Sequence, residues 1–179
     1  MHVFISARDD LDKSAIIRKV LEMTGPKKIA GFCTVGIEST IEDARTEVYI
    51  TAFGEEPVRD EIYLVGVLWD DDIYTGFPEA FEHGGRAVLN SIPEDADLII
   101  MDELGLFELA APQYCADVFK LVDGNKTILG VLKRKDTPFH DAIRQHPNVT
   151  VIEVAEQNYD QAPELAVKAL QEKMITAIN

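Results

Sequence analysis

The chain has 179 residues, of which 46% are hydrophobic and 27% charged, and its formal net charge is −15. This composition is typical of a globular domain and not of a disordered chain, and no run approaches the ~20 apolar residues that span a bilayer. The negative charge repels nucleic acids and anionic membranes at long range. We therefore expect a single domain over residues 1–179, cytoplasmic and without a signal peptide, that binds neither nucleic acid nor membrane.

The first predicted elements are a short strand and a helix. Residues 3–6 are apolar and predict a buried strand. In residues 13–24 the apolar positions recur on one face of a helix, and Gly25-Pro26 is typical of a helix end.

The loop between these elements carries the end of a phosphate-binding pattern. It reaches Lys13-Ser14, the last two positions of G-x-x-x-x-G-K-[ST], a loop that binds phosphates between a strand and a helix. Both glycine positions differ, since they hold Ala7 and Asp12. The loop alone leaves two interpretations open, an altered phosphate-binding loop and a chance Lys-Ser at a helix start.

The section over residues 29–76 has a different pattern. Its three runs, KIAGFCTV, EVYITAF and EIYLVGVLW, are rich in aromatic and β-branched residues, and no helical pattern separates them. This indicates antiparallel strands or hairpins. A helix is predicted next, between Pro78 and Leu89.

From residue 96 onward, apolar runs alternate with helical patterns. Near-continuous apolar runs separated by helices indicate parallel strands that are covered on both faces. The sequence therefore predicts an α/β fold, a mainly parallel sheet with helices on both faces and an antiparallel β insertion. The predicted strands are 96–103, 127–132 and 149–154, and the predicted helices are 111–122, 138–145 and 160–177.

Two acids, Asp102 and Glu103, follow the apolar residues 98–101. Ligands of parallel sheets bind beyond the carboxyl ends of the strands, where this pair would lie. In a P-loop enzyme the aspartate holds the Mg²⁺ shell and the glutamate orients and deprotonates the attacking water. Acids at strand ends are common, but the order of a Lys-Ser loop and then this pair predicts a P-loop NTPase-like fold.

From Lys28 onward the chain resembles the small P-loop nucleoside-triphosphatase family that carries a GF-T strand and a DEIG-MEL signature. The matching segments are IAGFCT (29–34) and DELGLFEL (102–109), and residues 128–158 resemble the C-terminal part of the family. The resemblance implies binding of a nucleoside triphosphate with Mg²⁺ and slow hydrolysis with broad base tolerance.

The resemblance also implies the roles of individual residues. Lys13 would contact the β- and γ-phosphates, while Ser14 and, through water, Asp102 would hold Mg²⁺. Glu103 would be the general base, and Arg134 would stabilise charge in the transition state. The implied nucleotide-binding residues are Ala7, Asp12, Lys13, Ser14, Ala15 and, at the base end, Asn158.

The altered loop predicts weakened phosphate binding. Glycines let the backbone N–H groups of such a loop approach the phosphates closely, and a positive φ at Asp12 would cost about 1 kcal/mol or more. One carboxylate ~5 Å from a phosphate charge is repelled by about 3 kcal/mol at an effective dielectric constant of ~20. The loop holds Asp9, Asp10 and Asp12 with only Arg8 beside them. Asp12 also suits the N-cap of the helix.

Three functional hypotheses stay open. The first is a Mg²⁺-dependent nucleoside triphosphatase in which Lys13, Ser14, Asp102 and Glu103 suffice despite the altered loop. The second is a non-hydrolytic protein of the same fold that binds a related small molecule or a protein partner. The third is a small-molecule kinase, although nothing in the sequence marks an acceptor pocket.

The cysteines and histidines indicate no further site. Cys33 and Cys115 are far apart in the sequence and predict free buried thiols in a reducing cytosol. The four histidines lack the spacing of a metal site, and we expect His140 and His146 on the surface.

Overall fold

The computed structural model of the chain describes residues 1–8, 10–70 and 73–176, with side chains as far as Gln171. None of the helices in these ranges is both long and apolar enough to cross a bilayer. The strands are β1 His2–Ala7, β2 Ile29–Glu38, β3 Thr46–Ala52, β4 Leu64–Asp70, β5 Ile73–Gly76, β6 Leu98–Leu104, β7 Ile128–Leu132 and β8 Val149–Val154. The helices are α1 Lys13–Thr24, α2 Pro78–Ala80, α3 Arg86–Asn90, α4 Pro112–Asp123, α5 Pro138–Arg144 and α6 Ala162–Thr176.

The strands form one eight-stranded sheet in the order β5-β4-β3-β2-β6-β7-β1-β8. From β2 to β8 in this order all neighbours are parallel, whereas β3, β4 and β5 continue the sheet with antiparallel pairing. The predicted α/β fold, mainly parallel with an antiparallel insertion, is confirmed. The insertion is an extension of the same sheet, so it can form a wall of a site at the carboxyl edge of β6.

Helices cover both faces of the sheet because successive strand residues point to opposite sides. On one face Ile5 packs in a core with α1 and α6, and on the other Phe4 packs in a core with α4 and the α2–α3 segment. The helix predicted from Pro78 to Leu89 is interrupted by a π-helical turn over Phe81–Gly85. Gly84 in this turn lies directly against the carbonyl oxygen of Ile62, where a Cβ atom would not fit.

A buried carboxylate, that of Glu47, links the antiparallel half of the sheet to the loop that precedes β3. This side chain is only 2% exposed and accepts hydrogen bonds from the Tyr49 hydroxyl at 2.6 Å, the Thr40 N–H at 2.7 Å and the Ser39 hydroxyl at 3.1 Å. The bond from Tyr49 and those from Thr40 and Ser39 lower the pKa of Glu47 to about 2 against the opposing effect of burial. The carboxylate therefore stays ionised and joins loop 39–46 to β3.

The histidine prediction was wrong. His140 is fully buried, and its Nδ1 lies 2.6 Å from the hydroxyl of Thr137, the N-cap residue of α5. The His146 side chain is only 14% exposed and its Nε2 lies 3.1 Å from a carboxylate oxygen of Asp123. Both are covered because α5 packs between α4 and β8. Cys33 and Cys115 are free thiols, as predicted, but both are only partly buried and not fully buried as expected.

Candidate active site

Strand β1, strand β6 and helix α1 converge at one edge of the sheet. β1 ends at Ala7, which is fully buried, and residues 8–12 lead into α1. β6 runs parallel to this strand, with β7 between them, so its carboxyl end lies at the same edge. The two acids predicted for this edge, Asp102 and Glu103, immediately precede Leu104, the last residue of β6, and the peptide bond between them is cis.

The first contact at this edge joins Ser14 to Asp102. The Ser14 hydroxyl donates a hydrogen bond of 2.6 Å to Oδ2 of Asp102. Burial raises the pKa of Asp102, while this hydrogen bond and the charge of Lys13 act in the opposite direction. A hydroxyl and a carboxylate in contact are two hard oxygen donors of the kind that Mg²⁺ prefers.

The second contact places the Glu103 carboxylate between two lysines. Its Oε2 lies 3.6 Å from Nζ of Lys13, and its Oε1 lies 3.9 Å from Nζ of Lys133. The side chain of Lys13 is 11% exposed and that of Glu103 is 25% exposed, so both groups remain open to a ligand. Lys133 was missed by sequence reasoning, although the basic run 133–135 was its signal.

Asp12 is the N-cap residue of α1. Its Oδ1 accepts a 2.8 Å hydrogen bond from the backbone N–H of Ala15, and its Oδ2 lies 3.3 Å from a guanidinium nitrogen of Arg18. The φ angle of Asp12 is −73°, so the cost of a left-handed conformation does not arise in this structure. The N-cap prediction is confirmed. The Asp12 carboxylate therefore already accepts the hydrogen bond of one N–H group at the start of α1.

The charges of the loop are partly compensated. Arg8 donates from Nε to Oδ1 of Asp10 at 3.1 Å, and its guanidinium lies 3.9 Å from the carboxylate of Glu156. The hydrogen bond with Arg8 lowers the pKa of Asp10. Asp9, the third acid of the predicted loop, lies outside the described residues.

Arg134 and Asn158, which the resemblance assigned to the site, lie next to β8. Nε of Arg134 is 3.8 Å from Oε2 of Glu153, and both side chains are more than half exposed. Asn158 caps the turn after β8, since its Oδ1 accepts from the N–H of Ala155 at 2.7 Å and its Nδ2 donates to the carbonyl of Glu153 at 3.0 Å. In the structure, therefore, Lys133 is the residue of the basic run that contacts Glu103, whereas Arg134 contacts Glu153.

The turn after β8 is connected to the loop between β1 and α1. The Tyr159 hydroxyl donates a 2.7 Å hydrogen bond to the backbone carbonyl of Asp12. Beside this contact is a small cavity of about 170 Å³, which adjoins the predicted base end of the site. Its lining residues are Arg8, Leu11, Ala155, Glu156 and Gln157.

Arg144 holds the loop that carries the basic run. From α5 its guanidinium donates to the carbonyl of Lys135 at 2.7 Å and to that of Lys133 at 3.3 Å, and it is anchored by Asp141 at 2.9 Å. Because these contacts fix the backbone of the loop, Arg144 is a positioning residue for Lys133. Sequence reasoning missed it because no pattern relates a helix residue to the carbonyls of a preceding loop.

A larger cavity of about 450 Å³ extends from Lys13 and Glu103 toward the antiparallel half of the sheet. The DELGLFEL segment closes one side through Phe107, whose ring lies against Gly66 and would be 2.9 Å from a Cβ atom there. The further lining residues are Thr34, Gly36, Thr46, Val48, Leu68, Tyr74, Phe81, Gly105, Leu106, Glu108, Lys133 and Lys135.

Glu108 is a buried acid in the wall of this cavity. It is 3% exposed, and its Oε1 accepts a hydrogen bond from the N–H of Gly105. Burial raises the pKa of Glu108 to about 7, with a smaller contribution from the charge of Glu103 and an opposing one from backbone hydrogen bonds. Near neutral pH this carboxyl is therefore divided between its neutral and charged forms.

We expect the Glu108 carboxyl to make the protein less stable as the pH rises. Its pKa is raised from 4.5 to about 7, so between these values the folded state binds more protons than the unfolded state and the free energy of unfolding falls by up to about 1.4 kcal/mol per pH unit. Chemical denaturation at several pH values should show this slope in the wild type and not in Glu108→Gln. The exposed Glu22→Gln should retain it, and an unchanged slope in Glu108→Gln would contradict the assignment.

Comparison with known proteins finds relatives that match most of the chain. A family model described as NTPase matches residues 2–167. The nucleoside-triphosphatase THEP1 of Thermotoga sp. (strain RQ2) is 28% identical over 160 residues, covering 88% of each chain. The protein of the same name from Natranaerobius thermophilus is 29% identical over 182 residues, covering 97% of this chain and 98% of that protein.

Two solved structures share the fold. The crystal structure of THEP1 from Aquifex aeolicus superposes with a TM-score of 0.69 at 22% identity, covering 92% of this chain and 95% of that chain. The solution structure of a human cancer-related nucleoside triphosphatase gives a TM-score of 0.63 at 21% identity, covering 96% and 97%. Because the family model matches residues 2–167 of the 179 in this chain, the chain belongs to the NTPase family, the small P-loop nucleoside triphosphatases.

Proposed function

We propose that the protein binds a nucleoside triphosphate with Mg²⁺ at the edge formed by β1, β6 and α1, and that it hydrolyses the γ-phosphate slowly. One observation carries the proposal: Ser14 contacts Asp102 and Lys13 contacts Glu103, so a hydroxyl, an ammonium and two carboxylates meet at one strand edge. The relatives named nucleoside-triphosphatase THEP1 support the same substrate class.

The residues present fit Mg²⁺ as part of a nucleotide complex. No group of three His, Cys, Asp or Glu side chains suited to a metal occurs within the described ranges, and Mg²⁺ is commonly held by one or two carboxylates together with substrate phosphates. Ser14 and Asp102 supply the hard oxygen atoms that such binding needs. When bound, the ion would neutralise charge that develops on the phosphate oxygens.

The side chains around this pair would act on the γ-phosphate and on water. Lys13 would place its ammonium group on the phosphate oxygens, and Lys133 would add a second positive charge on the other side of Glu103. Glu103 would accept the proton of the attacking water, a contribution of about 10²- to 10⁴-fold to the rate. Arg134 would stabilise charge in the transition state only after its contact with Glu153 is broken. Asn158 would shape the base end of the site through the turn that it caps.

Asp12 supports a second candidate, a protein that binds a small molecule or a protein partner without hydrolysis. Its carboxylate occupies the Ala15 N–H at the start of α1, where a helix end otherwise attracts an anion. We place this candidate second because the Asp12 side chain is exposed and also pairs with Arg18, which offsets part of its charge.

The experiment is to measure ATP, GTP, CTP and UTP binding by calorimetry and phosphate release, each with and without Mg²⁺. The wild type should bind the nucleoside triphosphates and release phosphate from them only when Mg²⁺ is present. Lys13→Ala should weaken nucleotide binding about tenfold or more. Lys19 is an exposed lysine of the same helix, and Lys19→Ala should change neither nucleotide binding nor phosphate release. Binding without release would favour the second candidate, and no binding at millimolar concentrations would contradict the proposed function.

A further inference from the structure

The larger cavity exceeds the space that one attacking water molecule needs. It measures about 450 Å³ and one end of it is formed by Lys13 and Glu103, the groups that the proposed function places at the γ-phosphate. A water molecule takes up only about 30 Å³ in the liquid, and small-molecule sites range over about 300–1,000 Å³. The space beside the general base therefore suits a second small molecule.

The walls of the cavity have the chemistry of a ligand site. Aromatic and aliphatic side chains are the largest group in its lining, and Lys13 and Lys133 lie beside Glu103. Apolar walls with a few polar groups are typical of small-molecule sites. The lining holds three lysines, Lys13, Lys133 and Lys135, against the two carboxyl groups of Glu103 and Glu108, so positive charge is in excess there and favours an anionic ligand. The apolar members are Val48, Leu68, Tyr74, Phe81, Leu106 and Phe107.

Packing and hydrogen bonds hold both walls of the cavity in place. Phe107 lies against Gly66 and Gly76, and its ring meets that of Tyr74 edge to face with 5.3 Å between centroids. On the opposite side Arg144 binds the backbone of the loop that carries the lysines. Because both walls are held by packing and hydrogen bonds, binding of a ligand would cost little conformational entropy in the walls.

We propose that this cavity binds an alcohol with an apolar, ring-sized body and an anionic group, and that this alcohol accepts the γ-phosphoryl group. The proposal rests on the proposed function, which supplies the nucleotide. The hydroxyl oxygen of the acceptor forms a bond to the γ-phosphorus as the bond from that phosphorus to the β–γ bridging oxygen breaks. The bridging oxygen keeps the electron pair and leaves with the nucleoside diphosphate, and Glu103 takes the hydroxyl proton. Water reacts at the same place when the cavity holds no acceptor.

The test uses the full chain and two probes, para-hydroxymethylbenzoate and para-methylbenzoate, which differ only in the hydroxyl group. Binding of each probe is measured by calorimetry without nucleotide, so that this arm does not depend on nucleotide binding. Phosphorus NMR with ATP and Mg²⁺ then follows formation of a phosphomonoester. The variants are Tyr74→Ala and Lys135→Ala, both at exposed positions, with Lys27→Ala at an exposed position outside the cavity as the control.

We expect both probes to bind, each variant to weaken binding about tenfold, and Lys27→Ala to leave it unchanged. A phosphomonoester should form with the hydroxymethyl probe alone, and its yield should fall in both variants. Failure of both probes to bind, or binding that Tyr74→Ala and Lys135→Ala leave unchanged, would overturn the site. Binding that only slows phosphate release, with no ester, would overturn the acceptor role. Phosphate release without any probe reports on the proposed function separately.

Discussion

Glu103→Gln is expected to lower Mg²⁺-dependent phosphate release by about 10²- to 10⁴-fold, because the amide cannot take a proton from the attacking water. Nucleotide affinity should stay the same or increase, since the substitution removes a negative charge that lies 3.6 Å from Lys13 and 3.9 Å from Lys133. Steady-state phosphate release and calorimetric titration with ATP measure the two quantities. A loss of rate without a loss of binding is the signature of a general base and not of a misfolded protein.

The matched control is Glu164→Gln, an exposed carboxylate in the first turn of α6. It makes the same chemical change away from the strand edge and should leave both quantities unchanged. If Glu103→Gln released phosphate at the wild-type rate, proton transfer would not depend on Glu103 and the proposed role would be wrong. If both variants lost binding together, the change in net charge would be the cause.

The second large effect is expected at Asp12. Asp12→Asn should tighten ATP binding by about ten- to a hundredfold, because it removes a charge worth about 3 kcal/mol of repulsion at ~5 Å and an effective dielectric constant of ~20. The lower end of that range reflects Arg18, which lies 3.3 Å from the Asp12 carboxylate and already offsets part of its charge. Asparagine remains a good N-cap, so the hydrogen bond from Ala15 and the stability of α1 should be retained. Calorimetry at low and high salt measures the effect, which should shrink as salt screens the charge.

Two further variants separate charge from backbone freedom. Asp12→Gly restores the glycine of the phosphate-binding pattern and should bind at least as tightly as Asp12→Asn if the backbone of the loop must rearrange around the phosphates. Asp10→Asn is the control, because that carboxylate is already paired with Arg8, and it should have the smaller effect. Affinity that none of the three substitutions changes would show that the phosphates do not bind at the start of α1.

Local signals in the sequence predicted most elements closely. Helix α1 was predicted over residues 13–24 and strand β8 over 149–154, and both are observed with these bounds. Such agreement is expected where apolar periodicity and helix caps act within a few residues. The short strand β5, Ile73–Gly76, was not predicted as a separate element, because four residues show little periodicity and only their pairing with β4 defines them.

The chemical groups of the candidate site were visible in the sequence, but their arrangement was not. Lys13, Ser14, Asp102 and Glu103 could be named from their motifs, and the charge of Asp12 could be weighed from its place in the loop. That Lys133 reaches Glu103 follows from the parallel pairing of β6 and β7, which brings the ends of distant segments together.

Most of the secondary structure and the acidic character of the loop could be predicted from the sequence, because each depends on residues close together in the chain. The negative φ of Asp12, the burial of Glu108 and the cavity beside Glu103 became known only from the folded structure. These features depend on packing between β6, the DELGLFEL segment and the antiparallel extension. Burial and contact between segments far apart in the chain are set by the whole fold, and no local pattern records them.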